Sequence, residues 1–413
     1  MAHDDNGGGK KPRPLEGVRI VESSVWHAGP GASAILGDLG AEVIKIETLT
    51  GDPERFHAGF GPLGSFKNGR TDWNLMFEFS NRNKSGISID TNTDEGKEVL
   101  HRLVQSADIF LTNLRMTTAA KNGLDYKTLS RINPKIIHVN VNGFGPNGPM
   151  KDIGGFDAMG QAVSGMTFLA GTDEPTLLQA LVLDQMTAIT ASHAMLTALI
   201  ARDRHGIGQE VFVSLYGSAL WLTHANLLAT SVLKENIKFK FDRMKNPALR
   251  TNFKCGDGKW IVSTNHPDYK YWPIFCEAVD RTDLLKNPKF ITPEDRTANL
   301  AELITLIDGI MLTKTRKEWL DIFSKHQLNF VAVNEMIDVI EDPQALENDY
   351  LVDFKHPVLG TIQIPGYPVS FSGSTVGTHG RAPDLGEHND QVLAGLGYSK
   401  DAIERLRRNK SIK

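Results

Sequence analysis

From Leu15 to about Asn142, short β-branched apolar runs alternate with segments of helical periodicity. Val18 to Val21, Glu42 to Glu47, Ile87 to Asp90, Asp108 to Thr112 and Lys135 to Val141 read as strands. Between them, Gly31 to Leu39 reads as a small-residue helix and Glu95 to Ser106 as an amphipathic one. Strand–helix alternation of this kind implies parallel pairing through right-handed crossovers, which predicts an α/β fold with a doubly wound, Rossmann-like sheet. Gly143 to Gly155 (GFGPNGPMKDIGG) interrupts the rhythm with a Gly- and Pro-rich loop, and a loop that long inside a compact domain is commonly functional. Gln185 to Arg204 then reads as a helix. Met186, Ile189, His193, Leu196 and Ile200 fall at alternating steps of three and four, predicting one buried stripe. Val211 to Leu215 is the next strand.

Residues 225–331 carry more Lys, Asp and Trp and lose the βα rhythm, so they are expected to form a second, smaller domain. Residues 15–224 form the first part of the large domain, and 332–413 return to it. In that return Gly360 to Ile364 and Tyr367 to Phe371 read as strands, and Asp401 to Arg408 as a charged helix. Residues 1–14, acidic, then Gly-rich, then basic, read as a mobile tail with no apolar signal region.

Composition narrows the class. The chain has 413 residues, 40% hydrophobic and 23% charged, as in a soluble globular protein. A formal net charge of −4 argues against nucleic acid as the main partner. The longest apolar runs fall short of the ~18 residues a membrane helix needs, so no membrane partner is expected. The two cysteines, Cys255 and Cys276, suit a reducing, cytoplasmic setting. The histidines show no metal-ligand spacing, so no protein-bound metal is expected.

Two positions invite a chemical reading. Gly29, Gly31 and Ala34 form a G-x-G-x-x-A pattern before a helix, with Glu47 ending the next strand, as in dinucleotide binding. Seven residues, Glu22 to Ala28, separate the first glycine from its strand, and Pro30 removes an amide donor; both count against an NAD oxidoreductase. A helix N-terminus still favours an anion. Asp184 stands where the N-cap of the following helix belongs. On local grounds it is a capping residue first, and a carboxylate that the helix dipole keeps ionised as a nucleophile is compatible with that role. His193 reads as a core histidine, and Glu387-His388 as a solvated or capping pair.

Ordered motifs connect these positions. They are Pro14 to Ile20, Ala28-Gly29-Pro30, Leu39 to Glu47, Gly51-Asp52-Pro53, Asn81 to Ser85, Ile132 to Ile137, Gly143-Phe144-Gly145, Gly154 to Asp157 with Gln161-Ala162, Ala382 to His388, and Leu396-Gly397-Tyr398. In this order they resemble the class III CoA-transferase family, the group that includes formyl-CoA and carnitine CoA-transferases. The resemblance implies a large Rossmann-like domain holding both chain ends, a small domain, and an interlocked dimer. The dimer would be a homodimer, or a heterodimer with a related subunit. It places the family's nucleophilic aspartate on Asp184. It implies an acyl-CoA thioester, such as succinyl-CoA, and a carboxylic acid as substrates, with no tightly bound cofactor. The implied course runs through an aspartyl mixed anhydride and an aspartyl-CoA thioester, with Gly154 and Gly155 offering amides to an oxyanion.

The family's CoA contacts map onto His27 and Ala28, Ile89, Asp90, Thr91 and Asn92, Asn113, Leu114 and Arg115, Lys121, and Gly154, Gly155, Phe156 and Asp157. This chain departs from the pattern at Thr48, Met116, Thr117 and Gly154, while Arg115 and Lys121 remain suited to nucleotide phosphates. The glycine-rich lid of formyl-CoA transferase has no counterpart between residues 225 and 265, which points to a bulkier acceptor, aromatic or a substituted dicarboxylate. Trp26 and Phe77-Glu78-Phe79 read as core first and pocket wall second. Racemases of the same family carry a His before the Asp of the G-x-x-D segment. Phe156 stands there, so two-base proton exchange lacks one base and transfer is favoured. A non-catalytic subunit of a hetero-oligomer is the other alternative, against which the retained Asp184 argues.

Overall fold

The computed structural model describes residues 11–57, 65–66, 73–169, 174–236 and 242–413. Its contacts divide the chain into two units, Met1–Lys238 with Asp353–Lys413, and Phe239–Val352. The first unit holds a six-stranded sheet: β1 (Arg19–Ser23), β2 (Glu42–Glu47), β3 (Lys84–Ser88), β4 (Ile109–Thr112), β5 (Ile137–Asn142) and β6 (Gln209–Ser214). All neighbours pair in parallel, in the order β3-β2-β1-β4-β5-β6. The order reverses between β1 and β4, where Ser23 lies opposite Thr112. In an open parallel sheet, the crevice beyond the strand C-termini at such a point is where ligands bind.

The helices of this unit are α1 (Ala28–Asp38), α2 (Leu75–Asn81), α3 (Asp94–Gln105), α4 (Met116–Lys121), α5 (Tyr126–Ile132), α6 (Asp157–Val163), α7 (Val182–His205), α8 (Leu215–Leu222) and α9 (His224–Leu233). One sheet face is covered by α1 and α7, with Ile20, Val139, Ala188 and Met195 in the core. The other is covered by α3, α5 and the C-terminal helix Lys400–Arg408, around Phe110, Val99, Leu129 and Leu406. Both faces are largely apolar because both are covered, as in buried parallel sheets.

Four local expectations need correction. The buried side of α7 is not the stripe Met186–Ile189–His193–Leu196–Ile200. His193 is exposed, and Ile189 and Ile200 are about half exposed. Leu183, Ala188, Ala191, Met195 and Ala198 are buried instead. Small residues win that face because α1 comes very close: a Cβ added to Gly31 would lie 3.2 Å from the Ala188 Cβ. The third strand begins at Lys84 rather than Ile87. Its ammonium hides this start from a hydropathy reading, being buried on Glu22 Oε2 at 2.7 Å and the Pro30 carbonyl at 2.8 Å. Tyr367 to Phe371 is not a strand; Gly360–Pro365 pairs with Leu351–His356, and Pro368 has no amide for a ladder. In the segment expected to be mobile, residues 1–10 lie outside the described residues. Pro12 and Arg13 are held, Pro12 by the Thr375 amide at 3.1 Å and Arg13 against His379 Nδ1 at 2.9 Å.

Glu387 and His388 have structural roles. Glu387 accepts the Asp384 amide, and His388 Nδ1 accepts the Gly86 amide of β3 at 3.1 Å. Asn389 Oδ1 takes the Ser88 amide, so residues 388–389 cover a sheet edge that would otherwise be open.

The second unit has an antiparallel sheet of Asn252–Lys254, Trp260–Ser263 and Phe330–Val333, with the central strand at Trp260–Ser263. Helices Asp268–Ala278, Leu300–Met311 and Arg316–Lys325 pack Trp272, Phe275, Trp319 and Phe323 into its core. Thr315 and Glu318 close a capping box at the last of these. No described helix is long and apolar enough to cross a membrane.

Candidate active site

Each strand end at the switch point delivers backbone or side chain to one place. After β1 the chain turns through Trp26, held at φ +63°, into α1. After β4, Asn113 clamps that turn: its Oδ1 accepts the Val25 amide at 3.0 Å and its Nδ2 donates to the Val25 carbonyl at 2.6 Å. After β5, Gly143 meets Gly155 so closely that a Cβ on Gly155 would stand 2.3 Å from the Gly143 Cα. Only two glycines can cross at that spacing. The resulting cavity, about 90 Å³, is lined by Ala28, Asn113, Arg115, Gly154, Gly155, Phe156 and Asp184, with Trp26, Met116, Asn142, Lys151 and Leu215 among their neighbours.

Asp184 does not cap α7. The helix starts at Val182, Leu181 at the cap position offers no side-chain bond, and Asp184 sits in the first turn. The cap comes from Asp157, whose Oδ2 accepts the amides of Leu183 at 2.7 Å and Asp184 at 3.0 Å. Asp157 is held in turn by Gln161 Nε2, and Gln161 spans to Leu178 by its own amide group. Sequence reasoning misses this cap because it lies 27 residues upstream. The Asp184 carboxyl is pushed up to about 7, first by burial and then by the Asp157 charge. The helix N-terminus therefore does not leave it an ordinary carboxylate.

Cationic side chains and free amides line the same cavity. The Arg115 guanidinium lies over Gly154, where a Cβ would be 3.0 Å from its Nη2. Gly154 thus leaves the space Arg115 occupies, and Lys151 adds a second cation to the wall. Among the described residues, the amides of Gly154 and Gly155 have no acceptor.

Other expected contact residues are elsewhere. His27 is buried, with Nδ1 against Ser80 Oγ at 2.9 Å and Nε2 against Gln185 Oε1 at 2.8 Å. Burial lowers its pKa to about 4, against the Gln185 bond, so the ring is neutral. Ile89 is buried beside Ile412, Asp90 accepts the Asn92 amide, and Thr91 completes the turn beyond β3. Leu114 packs on the core, Lys121 is exposed at the end of α4, and Thr117 and Thr48 are exposed. None of these lines the cavity. Phe77 is core under the Arg55 guanidinium, and Phe79 stacks on His27 at 4.8 Å. The dinucleotide pattern serves packing: a Cβ on Gly29 would meet Ser24 Oγ at 2.9 Å, and one on Gly31 the His27 ring at 2.9 Å.

Beneath the site runs a fully buried charge cluster. Glu22 pairs with Lys84 at 2.7 Å and Lys45 at 3.2 Å, and Lys45 also pairs with Asp52 at 2.9 Å. Burial opposes the Glu22 charge, but the two ammonium groups outweigh it and hold its pKa at about 2. Among the described residues no cluster of His, Cys, Asp and Glu has the spacing to hold a metal ion.

Known proteins match this architecture along nearly its whole length. The family model for CoA-transferase family III matches residues 15–389. The (R)-2-hydroxy-4-methylpentanoate CoA-transferase of Clostridioides difficile is 32% identical over 97% of this chain and 99% of that protein. The cinnamoyl-CoA:phenyllactate CoA-transferase of Clostridium sporogenes is 31% identical over 96% and 97%. A crystal structure of a CAIB/BAIF family protein from Brucella suis superposes with a TM-score of 0.83 at 27% identity, covering 94% of this chain and 100% of that one. With the switch-point site in the same first unit, these likenesses place the chain in CoA-transferase family III.

Proposed function

We propose that the protein transfers coenzyme A from an acyl-CoA donor to a carboxylic acid through Asp184. One observation carries the reading: the Asp184 carboxylate lines the switch-point cavity together with Arg115 and the amides of Gly154 and Gly155, which have no acceptor among the described residues. The carboxylate attacks the thioester carbonyl, forming an aspartyl mixed anhydride as the CoA thiolate leaves. The thiolate then attacks the aspartyl carbonyl, releasing the donor acid and leaving an aspartyl-CoA thioester. The acceptor carboxylate attacks that thioester, giving a second anhydride and thiolate. Attack of this thiolate on the acceptor's acyl carbon yields the new thioester and free Asp184. Each addition builds negative charge on an oxygen, which backbone donors in a water-poor site stabilise best. Arg115 and Lys151 would meet phosphate groups of the CoA.

Succinyl-CoA is the donor we favour, since similar proteins include succinyl-CoA:glutarate and succinyl-CoA–D-citramalate transferases. Trp26 and the exposed ring of Phe156, in edge contact at 6.1 Å, would suit an aromatic or branched acceptor, in keeping with the phenyllactate and 4-methylpentanoate enzymes. We place the reaction in the cytoplasm and in an interlocked dimer. The test is incubation with succinyl-CoA, then hydroxylamine, then peptide mass spectrometry. The aspartyl thioester gives a hydroxamate on Asp184; labelling elsewhere, or full activity in Asp184→Ala, would sink the assignment.

A further inference from the structure

We infer that Glu54 is a positioning residue for this reaction: a buried, protonated carboxylic acid that acts through Ser80 and His27 on Gln185, the residue following Asp184. The inference rests on the reading of Asp184 as the acyl carrier.

Four side chains form one line. Glu54 Oε1 lies 3.3 Å from Ser80 Oγ, and Ser80 Oγ lies 2.9 Å from His27 Nδ1. His27 Nε2 then lies 2.8 Å from Gln185 Oε1, in the first turn of α7. They come from four separate elements: the turn Pro53–Phe56, α2, the residue before α1, and α7. Glu54, His27 and Ser80 are all buried, so each hydrogen must be placed where a partner needs it.

Polarity follows from counting those hydrogens. Gln185 presents its carbonyl oxygen, so His27 carries its proton on Nε2. The ring is neutral, so Nδ1 is bare and requires a donor, which among the described residues the Ser80 hydroxyl provides. Ser80 has one proton and has given it to His27. The remaining contact of Ser80 is with Glu54, which must then be the donor, and a carboxylate cannot donate. The opposite polarity, with Ser80 donating to Glu54, requires Gln185 to turn its amide nitrogen inward and leaves Glu54 either ionised or with its proton on the partnerless Oε2.

The surroundings of Glu54 decide between the two. Its Oε2 is buried without a hydrogen-bond partner among the described residues. An ionised carboxylate with one bare oxygen is far costlier there than a neutral acid. Asp52, on the same turn, adds like charge. Lys45 on β2 and Lys84 on β3 face it as well, but both are already paired with Glu22 on β1, and Lys45 also with Asp52. Burial and Asp52 together raise the Glu54 pKa to about 8 despite the two lysines and the Ser80 hydroxyl, a shift that favours the neutral acid.

The consequence is mechanical. His27 fixed as the Nε2–H tautomer ties Gln185 to the residue that leads into α1. The turn carrying Asp184 is thereby held on one side by Asp157 and on the other by His27. Ionisation of Glu54 draws the Ser80 proton back and leaves His27 Nδ1 without a donor.

Two measurements on the full-length protein test this. The first is the pH profile of kcat and KM with succinyl-CoA for wild type, Glu54→Gln and Glu54→Ala. The amide introduced by Glu54→Gln can donate to Ser80 as the neutral acid does. That variant therefore keeps kcat within about threefold at pH 7 and loses the alkaline decline of the wild type. Glu54→Ala loses about tenfold or more in kcat with little change in KM. Lys84, lowered to about 8 by burial against the pull of Glu22, also titrates in this range. An alkaline limb that persists in Glu54→Gln therefore belongs elsewhere and overturns the inference, as does a Glu54→Gln protein as impaired as Glu54→Ala. The second is the infrared difference between wild type and Glu54→Gln at pH 7, with a protonated-carboxyl C=O band expected in the wild type. Its absence overturns the inference, and its presence supports it even where the protein proves inactive with succinyl-CoA. Hydroxylamine labelling of Asp184 in wild type does not depend on whether Glu54 carries a proton, and the infrared band does not depend on labelling, so the two ideas can fall separately.

Discussion

The carboxylate of Asp157 accepts the backbone amide of Asp184 at 3.0 Å, while its charge raises the pKa of the Asp184 side chain. One residue thus fixes the turn that carries the proposed nucleophile and makes that nucleophile harder to ionise. A carboxyl with a pKa of about 7 is a stronger nucleophile, once ionised, than an ordinary aspartate, because basicity and nucleophilicity rise together. The cost is that half of it is protonated near neutral pH.

Asp157→Asn separates these two effects. The asparagine amide retains an oxygen for the Leu183 and Asp184 amides and carries no charge, while its NH2 replaces the oxygen that accepts from Gln161 Nε2, so a modest loss of stability accompanies the loss of charge. The acid limb of kcat/KM, set by Asp184, is expected to move from about 7 to lower pH. A pH–rate profile checks this. An unmoved limb would show that burial alone sets the Asp184 pKa.

Asp184→Asn is expected to abolish transfer and to stabilise the protein at alkaline pH. The carboxyl binds its proton more tightly in the fold than in the unfolded chain, so folding opposes its ionisation. That penalty is absent below the unfolded value of 3.8, grows as pH rises, and is complete above about 7. The wild type and Asp184→Asn should therefore unfold alike at pH 4, with the variant ahead by on the order of 2 kcal/mol at pH 8. Denaturant unfolding at the two pH values measures it.

Gly155→Ala should cost both stability and activity. The new methyl would sit 2.3 Å from the Gly143 Cα, against backbone that cannot swing aside. Separating the two passes of this loop should destabilise by about 1–3 kcal/mol and displace the amides that share the cavity with Asp184. Gly373→Ala is the control, since an added Cβ there meets nothing within 4 Å. Thermal unfolding and kcat for the two variants decide the matter.

The sheet was legible because its strands are apolar on both faces and short connections leave few topologies. The motifs from Pro14 to Tyr398 carried the family, and Gly154 to Phe156 with Asp184 do meet at one cavity. Lys84 misled because a buried ammonium looks like a surface residue until its partner, Glu22, is placed 62 residues away. The α7 stripe misled because Ala188 and Ala191 are too small to register as a buried face, though their size is what admits α1. His27 is placed among the CoA contacts by the family resemblance. Its ring instead turns inward to Ser80 and Gln185, partners that no local spacing reveals.

Racemisation offers the sharpest test of the chemistry. Exchanging the α-proton of a 2-methylacyl-CoA needs a base on each face of the carbon. Asp184 could serve one face, but the position before Asp157 is Phe156, whose ring is 57% exposed and cannot carry a proton. Among the described residues no histidine lines the cavity, and both nitrogens of His27 are engaged. A 2-methylacyl-CoA incubated in D2O without an acceptor acid should therefore take up no deuterium at the α-carbon, while succinyl-CoA and an acid exchange CoA in the same buffer. Wash-in at a rate matching that exchange would mean a second base has been overlooked. The most direct way to find it would be Lys151→Ala, since Lys151 is a proton-carrying side chain on the cavity wall other than Asp184.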